Sequence, residues 1–254
     1  MGMEIDLSGK SILITGASRG IGREAAILLG RAGAYVAVNF LSREAAAQEV
    51  VTSIGAERAF AVKADVGNPS DCSNMVDEVV DRFGRIDVLV NNAAIFAYNP
   101  FYGGDYENWQ RGWHRTFEVN VFGAANLVHL VLPLMRAQGG GKIINVASRA
   151  AFRGETEFAD YGASKAALVN LTRSLARACA GDGIIATCVA PGFIETDMAQ
   201  SELQNKRAEL TAQVPTGRIG TAEEVANTIL FLASPLSDYL AGATIDINGG
   251  SWFH

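Results

Sequence analysis

The chain has 254 residues, of which 49% are hydrophobic and 19% are charged, and its formal net charge is -6. This length fits one large α/β domain, and the acidic balance without a basic stripe argues against nucleic acid as a partner. No apolar run approaches the ~20 residues of a membrane-spanning helix, and residues 1–10 lack the pattern of a signal peptide; we therefore expect a single domain, 1–254, of a cytoplasmic protein without a membrane partner.

The first predicted strand covers residues 11–15 and ends in a glycine-rich turn, residues 16–22. The apolar residues that follow recur at helical spacing: Ile21, Ala25, Leu28, Leu29 and Ala32. A buried strand, a glycine turn and a helix N-terminus in this order bind a pyrophosphate, because the backbone can approach the anion and the free N–H groups point at it. Ser18 also completes the G-x-S-x-G pattern of an esterase nucleophile elbow. That alternative is weak, because His254 at the chain end is a poor partner base.

Strands and helices alternate along the rest of the chain. Predicted strands cover residues 34–39, 59–62, 86–90, 143–146, 184–189 and 244–247, and predicted helices cover 42–53, 69–83 and 160–180. A capping box at Thr221 and Glu224 opens the last helix, which runs through Leu232. Strands that alternate with helices of this length indicate crossover units and a parallel sheet. We therefore predict a doubly wound α/β fold of about seven strands.

Two residues in the helix at 160–180 point to acid–base chemistry. Tyr161 and Lys165 are four apart, so they lie on the same face of the helix. A neighbouring cation favours the phenolate, and the pattern predicts that Lys165 lowers the pKa of Tyr161. A tyrosine tuned in this way can exchange a proton with a substrate oxygen.

Cysteine and histidine spacing predicts no metal site. The residues are Cys72, Cys179, Cys188, His114, His129 and His254, and they form neither a metal-binding cysteine spacing nor a His-x-x-x-His pair. We expect reduced thiols and no bound metal.

Several motifs in register resemble the short-chain dehydrogenase/reductase superfamily, in its short single-domain subgroup. They are Thr15-Gly16-x-x-x-Gly20-x-Gly22, Asp65-Val66, Asn91-Asn92-Ala93-Ala94, the set Asn120, Ser148, Tyr161 and Lys165, and Pro191-Gly192 followed by Thr196. Ala94 replaces the glycine that is usual in the third motif. The resemblance runs from about Gly9 to Gly250. It implies a Rossmann fold and hydride transfer between a nicotinamide and a ketone or secondary alcohol.

The resemblance also assigns residues to sites. The implied catalytic residues are Asn120, Ser148, Tyr161 and Lys165. The implied cofactor residues are Gly16, Ser18, Arg19, Gly20, Ile21, Gly22, Phe40, Ser42, Arg43, Asp65, Val66, Asn92, Ala93, Ala94, Tyr161, Lys165, Pro191, Gly192, Ile194 and Thr196. Tyr161 would exchange the proton, Ser148 would hydrogen-bond the substrate oxygen, Lys165 would also reach the nicotinamide ribose, and Asn120 would position a water linked to Lys165.

Cofactor choice depends on the residues that follow the second strand. NAD selection usually rests on an acidic residue there, but Phe40 stands at that place and Glu44 lies too far along. Arg19, Ser42 and Arg43 could instead hold a 2′-phosphate through charge-assisted hydrogen bonds. We therefore favour NADP(H), with NAD(H) as the alternative.

The substrate is less well specified by the residues. Phe96, Phe152 and Met198 are candidate wall residues, with Ser148 and Tyr161 at the reacting carbon, and residues 193–214 resemble the lid that covers the substrate in this family. A moderately apolar ketone or secondary alcohol fits these residues. The runner-up is a 3-oxoacyl group on acyl carrier protein, although Gly139 and Asp182 stand where the family's carrier-binding reductases have basic residues. A non-catalytic nucleotide-binding regulator is a further alternative.

The resemblance implies a homotetramer or a dimer. The family pairs helices that correspond to residues 108–134 and 160–180, together with the last strand. The apolar residues from Val119 to Leu132 cover more than one helix face, which is consistent with burial at a subunit interface.

Overall fold

The computed structural model describes residues 5–254, with the backbone alone described at 199 and 201–203. Residues 1–4 of the predicted single domain lie outside the described residues. Within residues 5–254 the strands are β1 Ser11–Ile14, β2 Tyr35–Phe40, β3 Ala59–Lys63, β4 Val88–Asn91, β5 Gly141–Val146, β6 Ile184–Pro191, β7 Ile194–Glu195, β8 Gly220–Thr221 and β9 Thr244–Ile247. The α-helices are α1 Gly20–Arg31, α2 Glu44–Ile54, α3 Pro69–Phe83, α4 Tyr106–Phe117, α5 Ala124–Ala137, α6 Ala150–Arg153, α7 Ala159–Cys179, α8 Gln200–Ala212 and α9 Ala222–Ala233.

In the described part of the chain, seven strands form one sheet in the order β3-β2-β1-β4-β5-β6-β9, and every neighbouring pair is parallel. Strands β7 and β8 pair separately. The predicted doubly wound fold is confirmed. The strand order reverses at β1, between β2 and β4, and a ligand crevice forms outside the carboxyl ends of the strands at such a point.

The two faces of the sheet pack against different helices. Along β1, Ile12 and Ile14 belong to the core that includes α1, α2 and α9, whereas Leu13 belongs to the core that includes α3, α5 and α7. Side chains of a strand alternate between faces, so a strand buried on both faces is apolar throughout. This explains why the short apolar runs in the sequence mark the central strands so clearly.

Helix boundaries follow local signals. Asn68 caps α3 by accepting hydrogen bonds from the amides of Ser70 and Asp71, and the predicted capping box of Thr221 and Glu224 is present at α9. Most predicted boundaries differ from the observed ones by one or two residues, and one difference concerns the site. The second helix begins at Glu44 and not at Ser42, so Ser42 lies in the loop after β2.

The helical stretch Tyr106–Ala137 includes a π-helical turn, Glu118–Gly123, between α4 and α5. By length and composition alone this stretch could cross a membrane. In the fold, Leu127, Val131 and Met135 pack into the core on one face of the sheet, so their apolar character is explained by burial within the chain.

Candidate active site

A cavity of about 510 Å³ lies at the carboxyl ends of the strands, and it extends from the glycine-rich turn to Tyr161. The sequence-predicted residues that line it are Gly16, Ser18, Arg19, Gly20, Ile21, Phe40, Ser42, Arg43, Asp65, Val66, Asn92, Ala93, Ala94, Phe96, Ser148, Tyr161, Lys165, Pro191, Gly192, Ile194, Thr196 and Met198. Three predicted residues, Gly22, Asn120 and Phe152, do not line it. The fold therefore gathers most of the predicted set, from segments far apart in sequence, onto one surface.

The glycine-rich turn is built to receive an anion. Gly16 and Gly20 have φ values of 62° and 55°, a backbone conformation that favours glycine. Arg19 is the N-cap residue of α1, and its side chain makes no capping hydrogen bond. The first N–H groups of a helix lack intrahelical partners and attract negative charge. A pyrophosphate fits these residues, because its oxygens would accept the hydrogen bonds that a capping side chain usually accepts.

Two asparagines hold this turn in place. The amide of Gly16 donates to Oδ1 of Asn39 at 3.0 Å, and Nδ2 of Asn92 donates to the carbonyls of Thr15 at 2.8 Å and Gly16 at 3.1 Å. A Cβ on Gly22 would lie 2.5 Å from Nδ2 of Asn92 and 2.6 Å from the carbonyl oxygen of Gly16. Gly22 therefore permits α1 to pack closely on the turn, and it supports the site from behind without facing it.

Arginines cluster at the end of the cavity that follows β2. Nη1 of Arg43 lies 2.8 Å from Oδ2 of Asp197, and Nη1 of Arg19 lies 3.7 Å from the same oxygen. Phe40 also lines this end and is only 4% exposed. Both predicted phosphate-binding arginines thus converge on one anionic oxygen, which comes from the predicted lid.

The Asp65 carboxylate is already bonded within the chain. Oδ1 accepts from the amide of Gly67 at 2.9 Å, and Oδ2 accepts from Nη2 of Arg115 at 2.6 Å. Arg115 lines the cavity beside it. The sequence interpretation of Asp65 as an adenine contact did not include Arg115, which comes from α4.

Three of the four residues predicted to catalyse the reaction, Ser148, Tyr161 and Lys165, line the other end of the cavity. Burial raises the pKa of Tyr161 to about 12, and a hydrogen bond with Ser148 offsets only part of this rise. Lys165 donates from Nζ to the carbonyl of Val146 at 2.7 Å, and Nζ lies 5.6 Å from the centroid of the Tyr161 ring. Burial also lowers the pKa of Lys165 to about 8.

These values differ from the sequence prediction that Lys165 lowers the pKa of Tyr161. The largest influence on both groups is desolvation, which disfavours the charged form of each. Sequence spacing placed the two side chains near each other correctly, but it contained no information about how deeply they are buried.

Asn120 lies in the π-helical turn behind the cavity and is 1% exposed. Its Oδ1 accepts from the amide of Ile95 at 2.7 Å, while Nδ2 donates to the carbonyl of Ile95 and to Oγ of Ser164, each at 3.0 Å. Ser164 in turn donates to the carbonyl of Tyr161 at 2.7 Å. The Asn120 amide therefore ties the segment after β4 to the first turns of α7, and its donors are used within the chain.

Aromatic rings pack against Tyr161. Phe96 stacks on Phe158 with ring centroids 4.0 Å apart and meets the Tyr161 ring edge-on at 4.9 Å. Phe152, predicted as a wall residue, lies elsewhere, because its ring stacks on His254 at 3.9 Å. The short helix α6 turns Ala150 and Arg153 towards the cavity, and Phe152 occupies a different face of that helix.

Sequence reasoning missed several residues of the site. They are Asn39, Arg115, Arg149, Phe158 and Asp197. Two of them carried a signal: Asn39 is a polar residue inside an otherwise apolar strand, and Arg149 directly follows the predicted catalytic serine among small residues. The partners of Arg115 and Asp197 could not be read from local patterns, since they lie on distant segments.

The chain is similar to proteins of known class. The family model described as enoyl-(acyl carrier protein) reductase matches residues 16–251. A 3-oxoacyl-(acyl-carrier-protein) reductase of Staphylococcus epidermidis is 39% identical over 96% of this chain and 99% of its own length. The Escherichia coli protein of the same name is 37% identical over 98% of this chain and 99% of its own length. A crystal structure from Brucella melitensis, described as a short-chain dehydrogenase/reductase and glucose/ribitol dehydrogenase, has 35% identity and a TM-score of 0.91, and the match covers 99% of this chain and 100% of that one.

Proposed function

The chain belongs to the short-chain dehydrogenase/reductase family, and we propose that it is an NADP(H)-dependent ketoreductase with Tyr161 as its acid–base residue. As a member of this family, the chain is a nicotinamide-dependent oxidoreductase that acts on C=O and CH–OH groups. The main support for the proposal is that one continuous cavity contains both the predicted catalytic residues and the predicted pyrophosphate site. Ser148, Tyr161 and Lys165 line one end of it, and an uncapped helix N-terminus lies at the other. A single domain would then carry both sites.

The chain's residues divide the chemistry among them. The nicotinamide, when bound, supplies or accepts the hydride. Tyr161, with a pKa of about 12, is protonated at neutral pH and is therefore ready to donate a proton to the oxygen of a ketone. Ser148 can donate a hydrogen bond to the same oxygen and stabilise its developing charge. Lys165, with a pKa of about 8, is mostly cationic at pH 7 and favours negative charge nearby. Asn120 holds α7 in position through Ser164.

The choice of NADP(H) rests on the arginines after the glycine turn and β2. Arg19 and Arg43 both approach the Asp197 carboxylate, and a 2′-phosphate would offer them a stronger anion of the same kind. Phe40 gives the ribose hydroxyls no acceptor at the position where NAD enzymes carry a carboxylate. NAD(H) remains the alternative cofactor.

The direct test is loss of reduced-nicotinamide absorbance with NADPH and NADH in parallel, across a panel of ketones that includes an acetoacetyl thioester. We expect turnover with NADPH, and Tyr161→Phe should reduce kcat by about 100-fold or more because general-acid catalysis is lost. Fluorescence titration should show that the variant still binds NADPH. Unchanged turnover in Tyr161→Phe would contradict the proposed role, and nucleotide binding without turnover of any carbonyl would favour a regulator.

Reduction of carrier-bound 3-oxoacyl groups is the second candidate, because the curated relatives carry that name. The surface expected to meet an acidic carrier has Gly139 and Asp182 where the family's carrier-binding reductases have basic residues. Asp182 stands there and pairs with Arg136 at 3.3 Å, and Lys142 pairs with Asp238 at 2.6 Å. We therefore expect turnover of 3-oxoacyl carrier protein to be no better than turnover of a small thioester. A strong preference for the carrier would reverse this order.

We further propose a cytoplasmic homotetramer, with a dimer as the alternative. Phe122 in the π-helical turn is 57% exposed beside the buried Val119, and such an apolar side chain is suited to a subunit interface. Light scattering of wild type and of Phe122→Asp measures the assembly. A monomeric wild type would contradict the proposal.

A further inference from the structure

Arg149 is a buried cation on the wall of the catalytic end of the cavity. It directly follows Ser148, lines the cavity and is 3% exposed. Neither Nη1 nor Nη2 donates a hydrogen bond to any atom that the structure describes. The contact it makes is with an aromatic face, because Cζ lies 4.3 Å from the centroid of the Phe193 ring. A cation–π contact of this kind satisfies none of the guanidinium N–H donors with an acceptor.

A buried guanidinium without hydrogen-bond acceptors is energetically unfavourable unless an anion binds to it. Buried charges in proteins are normally paired, since desolvation without compensation costs several kcal/mol per ion. Burial, with a smaller effect from the charge of Arg153, lowers the pKa of Arg149 to about 10, and Glu155 offsets only part of that change. The group is therefore still cationic at neutral pH.

The nearby carboxylates pair with other cations. Glu155 lies 3.8 Å from Arg153, and Glu157 lies 3.3 Å from Lys206. Arg153 also donates to Oε1 of Gln213 at 2.9 Å. Among the side chains that the structure describes, none accepts a hydrogen bond from Nη1 or Nη2 of Arg149. The described residues supply no anion to Nη1 or Nη2 of Arg149, and a bound ligand can supply one.

We propose that Arg149 binds a carboxylate of the substrate, so that the substrate is an oxo acid or the corresponding hydroxy acid. The inference rests on the proposed function. The reacting oxygen would lie at Ser148 and Tyr161, and the carboxylate would accept hydrogen bonds from the Arg149 guanidinium, which lines the same cavity. A planar guanidinium matches a carboxylate through two parallel N–H···O bonds. Glu155, Glu157 and Glu209 also line the cavity, and they would repel a dianionic phosphate more strongly than a singly charged carboxylate.

This substrate class differs from both earlier expectations. A moderately apolar ketone offers no anion to Arg149, and neither does a 3-oxoacyl thioester, whose carboxyl group is esterified. The distinction can be measured with matched pairs of substrates that differ only in that charge.

The experiment compares oxo acids with their methyl esters as substrates: pyruvate, acetoacetate and levulinate against the three esters. The measured quantity is the ratio of kcat/KM for acid to kcat/KM for ester in wild type, Arg149→Met, Arg149→Lys and the control Arg177→Met. Arg177 is exposed on α7, so its variant reports the effect of removing one positive charge far from the cavity. Circular dichroism and NADPH titration establish that each variant is folded and binds the cofactor.

We expect wild type to prefer at least one acid over its ester. Arg149→Met should reduce the acid-to-ester ratio on the order of 10- to 100-fold, as for loss of a hydrogen bond to a charged group. The acid-to-ester ratio of Arg149→Lys should fall between the ratios of wild type and Arg149→Met. The ratio of Arg177→Met should match that of wild type. A role limited to holding Phe193 would change kcat/KM for acid and ester equally, and an unchanged ratio in Arg149→Met would therefore overturn the inference.

Two further outcomes separate this inference from the proposed function. Turnover of esters or neutral ketones without turnover of any oxo acid overturns the inference and leaves the ketoreductase standing. Failure of wild type to reduce any carbonyl with either cofactor refutes the proposed function and the inference together.

Discussion

Asp197 and Arg43 should affect NADPH binding in opposite directions. The two side chains form an ion pair at 2.8 Å, and Arg19 approaches the same carboxylate oxygen at 3.7 Å. If a 2′-phosphate takes the place of this carboxylate, Asp197→Ala removes a competitor and should tighten NADPH. Arg43→Ala removes a ligand of the phosphate and should weaken it. Neither change should affect NADH, which has no phosphate at that position.

The expected magnitudes follow from solvent exposure. The three side chains are 45–52% exposed, and ion pairs at such sites contribute about 0.2–1 kcal/mol each. Asp197→Ala should therefore lower the Kd for NADPH by up to about fivefold. A hydrogen bond to a charged partner is stronger, and after a discount for exposure Arg43→Ala should raise that Kd by about 5- to 30-fold, equivalent to about 1–2 kcal/mol.

Fluorescence titration with NADPH and NADH, at low and high salt, measures both effects. Glu44→Ala is the matched control, because it removes an exposed carboxylate at the start of α2 that does not line the cavity. Both shifts should shrink at high salt, since exposed charges are screened. Equal changes for NADPH and NADH in Arg43→Ala, or weaker NADPH binding in Asp197→Ala, would refute the reasoning.

Two predictions concern stability. Burial lowers the pKa of Lys165 to about 8, so between pH 8 and about 10.4 the unfolded chain binds a proton that the folded chain does not, and stability rises with pH. Urea unfolding at pH 7–10 should show that Lys165→Met lacks roughly 3 kcal/mol of this rise; parallel curves for variant and wild type would contradict the burial argument. Gly22→Ala should lower the free energy of unfolding by about 1–3 kcal/mol and weaken NADPH binding, because its Cβ meets Asn92 and the turn backbone. Gly181→Ala, whose Cβ would meet nothing within 4 Å, is the control and should change neither quantity.

Elements with a complete local signal were predictable in type and nearly in extent. The third helix, Pro69–Phe83, and the last strand, Thr244–Ile247, have the predicted bounds, because caps and apolar periodicity act within a few residues. The start of α2 was misplaced by two residues. By residue type alone, Ser42 and Arg43 are compatible with the first turn of a helix. Only the folded chain shows that they lie in the loop that lines the cavity.

Site residues that belong to a sequence motif were predictable. Properties that depend on burial or on pairing with distant residues were not. Tyr161 and Ser148 were identified by order and spacing, yet the direction of the Tyr161 pKa shift was not, since desolvation depends on everything packed around the ring. Phe152 was chosen as an aromatic near the serine, but contact with His254 occupies its ring.

The sequence by itself determined the alternation of strands and helices, the parallel sheet and the set of residues that meets at its carboxyl edge. These properties follow from periodicity and from backbone chemistry at glycine, which act locally. Only the tertiary structure decided which charges find partners. It brings Asp197 to Arg19 and Arg43, and it buries Nη1 and Nη2 of Arg149 without an acceptor among the described residues. Pairing between distant segments depends on distance and solvent exclusion, neither of which is encoded in spacing along the chain.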